Sequence, residues 1–355
     1  MPGQITAPKN LCLLRLSAIG DVCHAVAMVQ QIQRQWPETK ITWVIGKIEA
    51  ALLQGLDNVE FVIFDKKAGW QGYRELRAQL KGRHFDLLLH MQVAFRASLA
   101  SLCIPAKVKI GFDRKRAIEG QWLFTNKQIA PQQAPHVLDG FMGFARALGL
   151  EVASPTWQMP VADQDLLWAS ERLAEDKPVA VICPAASKAE RNWHAKGYAQ
   201  AADHLAGLGF LPVVCGGPTP LEQQLAVEIC KLSQARVENL VGKTSLKQLL
   251  AVLKLAHLVI APDTGPAHMA VTVGTPVIGL YAHSNPHRTG PYLYQHYVVS
   301  CYRQAVEKQY GKPLSKLPWG TRAKGSELMD NITFEQVKDK IRQLLADHYP
   351  ELGTV

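Results

Sequence analysis

The sequence predicts an α/β protein made of two doubly wound domains, and three observations carry that prediction. Short apolar runs alternate with longer amphipathic stretches along most of the chain, the pattern of parallel strands joined by right-handed helical crossovers. The length of 355 residues suits about two domains at roughly 150 residues each. Midway, prolines at 155, 160 and 178 bracket a polar stretch and a short helix, and the alternation then starts again.

In the first half the strand candidates are residues 11–16, 41–45, 61–64, 85–89 and 108–110, with helical segments such as 22–33 and 72–80 between them. The junction falls within 151–178 and contains a helix at 163–173. The second half has strands at 179–183, 210–215, 258–261 and 277–280, and helices at 197–208, 222–232, 246–255 and 266–273. A last helix, 333–347, follows a Gly/Lys-rich loop; Thr333 and Gln336 fit an N-terminal capping box. Two doubly wound domains in tandem leave a cleft at the carboxyl ends of their strands, where such sheets bind ligands. The turns after Leu16, Cys183, Cys215 and Ala261 are expected on that rim.

Composition narrows the function. Hydrophobic residues make up 48% and charged residues 19%, enough for two ordinary cores. No apolar run approaches the length of a membrane span, and Met1 to Asn10 lacks a signal-peptide core. Seven cysteines, with no Cys-x-x-Cys pair, read as buried thiols of a reducing compartment, which predicts a cytoplasmic protein without disulfides or zinc. The net charge of +9 thickens at 107–116 and 308–324 and suits an anionic partner. No zinc-finger spacing, RNP motif or basic-region heptad is present, so an acidic substrate or membrane surface is expected rather than nucleic acid.

Four turns could carry chemistry. After residues 258–261, Pro262-Asp263-Thr264-Gly265-Pro266-Ala267-His268 leads from a strand into a helix. Proline suits the first helical position, and the unpaired N–H groups at a helix start attract phosphate. Thr264 can add a hydroxyl, Gly265 lets the backbone come close, and His268 can reach the same anion; an ordinary capped, buried helix is the plain alternative. After residues 179–183, Pro184-Ala185-Ala186-Ser187-Lys188-Ala189-Glu190-Arg191-Asn192-Trp193 could place Lys188 or Arg191 on a leaving diphosphate, or be a solvated surface loop. In Cys215-Gly216-Gly217-Pro218 with Glu222, the carboxylate could accept from ribose hydroxyls or simply serve the helix dipole. Near the start, Arg15-Leu16-Ser17-Ala18-Ile19-Gly20-Asp21-Val22 lacks a full G-x-G-x-x-G, but Asp21 at a helix start could be a general base or only a cap.

Together these residues resemble the ADP-heptose heptosyltransferases of lipopolysaccharide core assembly, glycosyltransferase family 9. The resemblance rests on Gly20-Asp21-Val22, Arg191-Asn192-Trp193, Gly216-Gly217-Pro218 with Glu222, and Asp263-Thr264-Gly265-Pro266-Ala267-His268, in order at strand ends, with Leu240 to Leu246 similar to an adenine-side turn. It covers residues 11 to 280 and looks most like the subgroup that adds the first heptose. It implies a GT-B fold of two Rossmann-like domains facing a central cleft: an acceptor-binding domain at 1–160, an ADP-heptose-binding domain at 161–332, and a helix at 333–355 that crosses back to the first.

The resemblance also implies an inverting transfer with no metal and no cofactor, ADP-heptose being a substrate. Asp21 would be the base and Arg191 would neutralise the leaving diphosphate. Ser187, Lys188, Glu222, Asp263, Thr264, Gly265 and His268 would bind the donor, Glu222 through ribose and Asp263 through heptose. The acceptor would be a Kdo residue, possibly phosphorylated, of Kdo-lipid A, at the cytoplasmic face of the inner membrane. Ser17, Lys66, Lys67, Arg96, Arg114 and Arg116 would meet it, with Arg74 and Lys115 nearby, and the stretch His90 to Ser98 should face the cleft. Three rivals stay open: a family member adding a second or third heptose, a nucleotide-sugar hydrolase or epimerase on the same scaffold, and a non-catalytic glycolipid-binding module.

Overall fold

The computed structural model describes residues 6–173 and 176–352. The chain divides into two compact units, Met1–Pro160 and Val161–Val355.

In the first unit the elements run β1 (Asn10–Leu14), α1 (Ile19–Gln35), β2 (Lys40–Ile45), α2 (Lys47–Leu53), β3 (Val59–Ile63), α3 (Trp70–Gln79), β4 (Phe85–His90), α4 (Phe95–Ser101), β5 (Ala106–Gly111), β6 (Lys127–Gln128) and α5 (Val137–Ala147). The strands form one parallel sheet in the order β3-β2-β1-β4-β5-β6. β1 is central, with Leu11 in register with Ile41 on one side and Leu87 on the other. Leu11, Leu13 and Leu14 are fully buried together with Val44, Leu88 and Leu89. A parallel sheet covered on both faces buries both sides of its inner strands, so they read as continuous apolar runs rather than as alternation. α1 packs against α5 across the sheet face.

The second unit runs α6 (Asp163–Arg172), β7 (Val179–Ile182), α7 (Ala195–Gly207), β8 (Leu211–Val214), α8 (Pro220–Leu232), β9 (Glu238–Asn239), α9 (Leu246–Leu255), β10 (Leu258–Pro262), α10 (Gly265–Thr272), β11 (Val277–Tyr281), α11 (Pro286–Thr289), β12 (Val299–Ser300), α12 (Tyr302–Tyr310) and α13 (Phe334–His348). Its sheet, also parallel, has the order β12-β11-β10-β7-β8-β9. Counted from β7, that is the order of the first unit. Each half therefore has a topological switch point, between β1 and β4 in the first and between β7 and β10 in the second, where doubly wound sheets open a crevice for ligands.

Three edge strands, β6, β9 and β12, were not anticipated, and neither were α2, α4, α5, α11 and α12. The edge strands are two residues each, too short to carry a pattern. The capping box of α13 is present: the Thr333 hydroxyl accepts from Gln336 N at 3.4 Å, and Thr333 N donates to Gln336 Oε1 at 3.0 Å. This helix belongs to the second unit, where it packs on α7, β11 and β12. Its buried residues Val337, Ile341, Leu344 and Leu345 make one apolar stripe.

Candidate active site

In the first unit the switch point is built by the loops after β1 and β4. Arg15 leaves the end of β1 and spans both: its Nη1 donates to the Met91 carbonyl at 2.7 Å, and its Nη2 pairs with Asp21 Oδ2. The guanidinium lies 5.3 Å from the centre of the Phe141 ring, a cation–π contact from α5. Leu16 N donates to Gln92 Oε1 at 2.7 Å, which ties the β4 loop to the β1 loop, and Gln121 Nε2, between β5 and β6, donates to the His90 carbonyl at 2.8 Å. Asp21 is the third residue of α1, and its Oδ2 also accepts from Ala18 N at 3.2 Å. Asp21 thus caps its helix and remains 29% exposed at the side chain. The alternative readings of this residue, cap and base, use different oxygens.

A cavity of about 580 Å³ opens beside this loop, lined among others by Leu16, Ser17, Lys66, Gln92, Phe95 and Arg96. Of the six residues expected to meet the acceptor, Ser17, Lys66 and Arg96 are brought together here. Lys66 is tethered: its Nζ lies 3.4 Å from Oε1 of Glu49, a buried carboxylate on α2. The other three stand apart from the cavity lining. Lys67 is exposed, Arg114 lies 3.6 Å over the Trp122 ring, and Arg116 is engaged by Asp113 and by Gln132 Oε1 at 2.8 Å.

In the second unit, β10 delivers Asp263 and α10 begins at Gly265 with Thr264 as its N-cap and a proline in the first turn. Thr264 Oγ1 donates to the Ala185 carbonyl at 3.1 Å, joining the loops after β7 and β10. Asp263 is the centre of the cluster. Its Oδ2 accepts from Ser284 Oγ at 2.6 Å and lies 3.5 Å from Arg191 Nη1, while Oδ1 is 3.9 Å from His268 Nε2. Burial alone would raise its carboxyl. His268, Ser284 and Arg191 outweigh that, and the group sits below the ordinary carboxylate range.

Arg191 is held for this work. Its Nη2 donates to Ser187 Oγ at 2.7 Å, and Asn192 Oδ1 accepts from Ala186 N at 2.7 Å. Trp193 is fully buried, with Nε1 donating to the Ile332 carbonyl at 2.9 Å. The indole presses on Gly197 so closely that a Cβ there would come within 2.4 Å of it. Lys188, expected on the donor, is exposed and lies 3.9 Å from Glu190. Glu222 accepts from Gly217 N at 2.8 Å and from Thr219 Oγ1 at 2.6 Å, so its carboxylate shapes the Gly216-Gly217-Pro218 turn, while Thr219 caps α8 by accepting from Glu222 N at 3.3 Å. Gly242, at φ +73°, donates to the Gly216 carbonyl at 3.0 Å and packs against Pro218.

Ser284 and Arg15 were not assigned roles from the sequence. Ser284 follows β11, and the same strand-end rule that singled out the other turns points to it. Arg15 was visible as a cation inside an apolar strand. The chain also has an Asp-x-Asp spacing, Asp163-Gln164-Asp165, at the first turn of α6, where acids favour a helix N-terminus. Among the described residues no group of three or more His, Cys, Asp or Glu is placed to hold a metal ion.

Two Rossmann-like halves of equal strand order make a GT-B fold. The model of glycosyltransferase family 9 (heptosyltransferase) matches residues 73–318. The chain is 46% identical to the lipopolysaccharide core heptosyltransferase OpsX of Haemophilus influenzae, over 97% of this chain and 99% of that protein. It is 23% identical to lipopolysaccharide heptosyltransferase 3 of Escherichia coli, over 74% and 79%. Among solved structures, a family 9 glycosyltransferase from Veillonella parvula superposes with a TM-score of 0.79 at 21% identity, covering 97% and 99%. The Escherichia coli heptosyltransferase WaaC with ADP superposes at 0.72 and 22%, covering 94% and 99%. The chain belongs to glycosyltransferase family 9, the heptosyltransferases.

Proposed function

We propose that this protein is an inverting heptosyltransferase of lipopolysaccharide core biosynthesis. It moves heptose from ADP-L-glycero-β-D-manno-heptose to a Kdo residue of Kdo-lipid A, at the cytoplasmic face of the inner membrane. The second unit holds the donor: Gly265 and His268 at the start of α10, with Thr264, take the phosphates, Asp263 the heptose, and Glu222 the ribose. The first unit holds the acceptor, with Ser17, Lys66 and Arg96 in the cavity beside Asp21.

The observation that carries this reading is the state of Asp21. One oxygen is committed to Arg15 and to the helix start, and the other has no hydrogen-bond partner among the described residues. Oδ1 accepts the proton of the acceptor hydroxyl as that oxygen attacks the anomeric carbon. The bond from that carbon to the diphosphate breaks, and ADP leaves with the electron pair. Developing charge is met by the α10 N-terminus and by Arg191, without a metal.

An ADP-release assay with ADP-heptose and a panel of acceptors tests this. Kdo-lipid A is expected to trigger release. Preference for a heptosylated core would assign a later heptose. Release without any acceptor would assign a hydrolase or epimerase. Comparing acceptors with and without a Kdo phosphate decides whether that phosphate is read; equal rates would remove it from the substrate.

A further inference from the structure

Close to the wall of the cavity beside Asp21 lies a buried acid that the transfer chemistry does not use. Glu49, on α2, is 6% exposed at its side chain, and its Oε1 accepts from Lys66 Nζ at 3.4 Å. Among the described residues Lys66 is the one hydrogen-bond partner of this carboxylate: Oε2 is buried and has none. Gly46 makes the room for it. A Cβ there would stand 2.4 Å from Glu49 Oε2 and 2.5 Å from the Leu16 carbonyl oxygen, which accepts from Gly46 N at 3.0 Å. The carboxylate is therefore packed at the end of the β1 loop, near Leu16 of the cavity wall.

This pair sets Lys66 apart from the other cations. A buried carboxylate stripped of its cation is far costlier than an intact pair, so Glu49 does not release Lys66. Lys66 is half-buried, whereas Lys67, next in the chain, is exposed. An ammonium has three donors, and one is spent on Glu49. The others are left for the cavity that Lys66 lines. A surface lysine loses rotamer freedom when it grips an anion, and a lysine already held loses less.

We propose that Glu49 is a positioning residue for acceptor recognition: it holds the Lys66 ammonium at the cavity wall, where Lys66 takes an anionic oxygen of the acceptor. The inference rests on the reading of the first unit as the acceptor side and adds the group that orders its cation. Glu49 also repels an incoming anion, so the direction of its effect is decisive.

The test is a double-mutant cycle of Glu49→Gln and Lys66→Ala in the full chain, with a water-soluble, deacylated Kdo acceptor. Glu49→Gln is expected to raise the acceptor KM by about 5- to 10-fold, while kcat at saturation and the ADP-heptose KM move by less than about twofold. In a Lys66→Ala background the same change should add nothing, because Glu49 acts through Lys66. Coupling with acceptors that lack a Kdo phosphate assigns the carboxylate, and coupling confined to phosphorylated ones assigns the phosphate. An acceptor KM that falls or stays unchanged in Glu49→Gln, or two effects that simply add, overturns the proposal. Acetylation of the lysines by acetic anhydride, read by mass spectrometry with no acceptor present, tests the pair separately. Lys66 should react at least about tenfold more slowly than Lys67 in the wild type, and Glu49→Gln should remove most of that difference. Equal rates in the wild type overturn the proposal whether or not the variant folds. Wild-type enzyme that releases no ADP with any Kdo acceptor would instead count against the transferase reading and leave the lysine result standing.

Discussion

Arg15 binds Asp21 through one oxygen and leaves the other free. Its Nη2 takes Oδ2, the oxygen that also caps α1, while its Nη1 is anchored on the Met91 carbonyl. The carboxylate is therefore fixed by two loops and a helix start, and Oδ1 is held in one orientation. Arg15→Ala is expected to lower kcat by roughly 10- to 100-fold with little change in the ADP-heptose KM, since nothing on the second unit is altered. Arg15→Lys keeps the charge and loses the fork, so it should recover only part of the rate. Asp21→Ala should remove transfer while ADP still binds; lost ADP binding with transfer intact would overturn the assignment. Steady-state kinetics with separate donor and acceptor titrations distinguish these outcomes.

Ser284 is expected to act through Asp263. Its hydroxyl is the shortest contact of that carboxylate, at 2.6 Å. Ser284→Ala should free Asp263 to turn toward Arg191 and should raise the ADP-heptose KM by about 5- to 10-fold, the effect of one charge-assisted hydrogen bond. Binding of ADP alone, which has no heptose, should change far less. Calorimetric titration with both ligands measures the difference.

Gly197 should not tolerate a methyl group. A Cβ there would stand 2.4 Å from the Trp193 ring, inside any allowed contact. Gly197→Ala must move the indole and with it the Arg191-Asn192-Trp193 turn. A loss of about 1–3 kcal/mol of stability is expected, together with lower kcat, from a residue that touches no substrate. Denaturant unfolding and turnover checked on one preparation should fall together.

His90 makes the first unit acid-sensitive. It is fully buried at the end of β4, and burial, with Lys109 and Arg15 adding to it, pushes its imidazole down to about 3. The folded protein keeps it neutral, while the unfolded chain protonates it near 6.5. Its contribution is therefore complete above pH 6.5 and is lost as pH falls from there toward 3, at about 1.4 kcal/mol per pH unit. Between pH 7 and pH 5 the wild type should lose about 2 kcal/mol more than His90→Gln does. Urea unfolding at the two pH values checks it; parallel losses would refute it.

Much of this was legible in the sequence because parallel strands buried on both faces announce themselves as apolar runs. β1, β4, β7 and β10 fall where residues 11–16, 85–89, 179–183 and 258–261 predict them. The turns that follow them inherit positions from the sheet, which is why Asp21, Arg191 and Asp263 could be singled out. Less legible were features set by tertiary contact. Nothing local tells that Arg116 is spent on Asp113, that Lys66 leans on Glu49, or that Lys188 points to solvent, because a cation reads the same in any role.

The equal strand order of the two units has a consequence for how the protein is made. The first sheet takes all its strands from residues 10–128 and closes its core without a strand from the second. At about 5–20 residues per second, a ribosome needs roughly 10 to 40 s to complete residues 161–355 after the first unit has been made. A small domain folds well within that time, so the first unit is expected to be native on the nascent chain before the second exists. Limited proteolysis of stalled nascent chains ending beyond Pro160 should release a resistant fragment of the first unit.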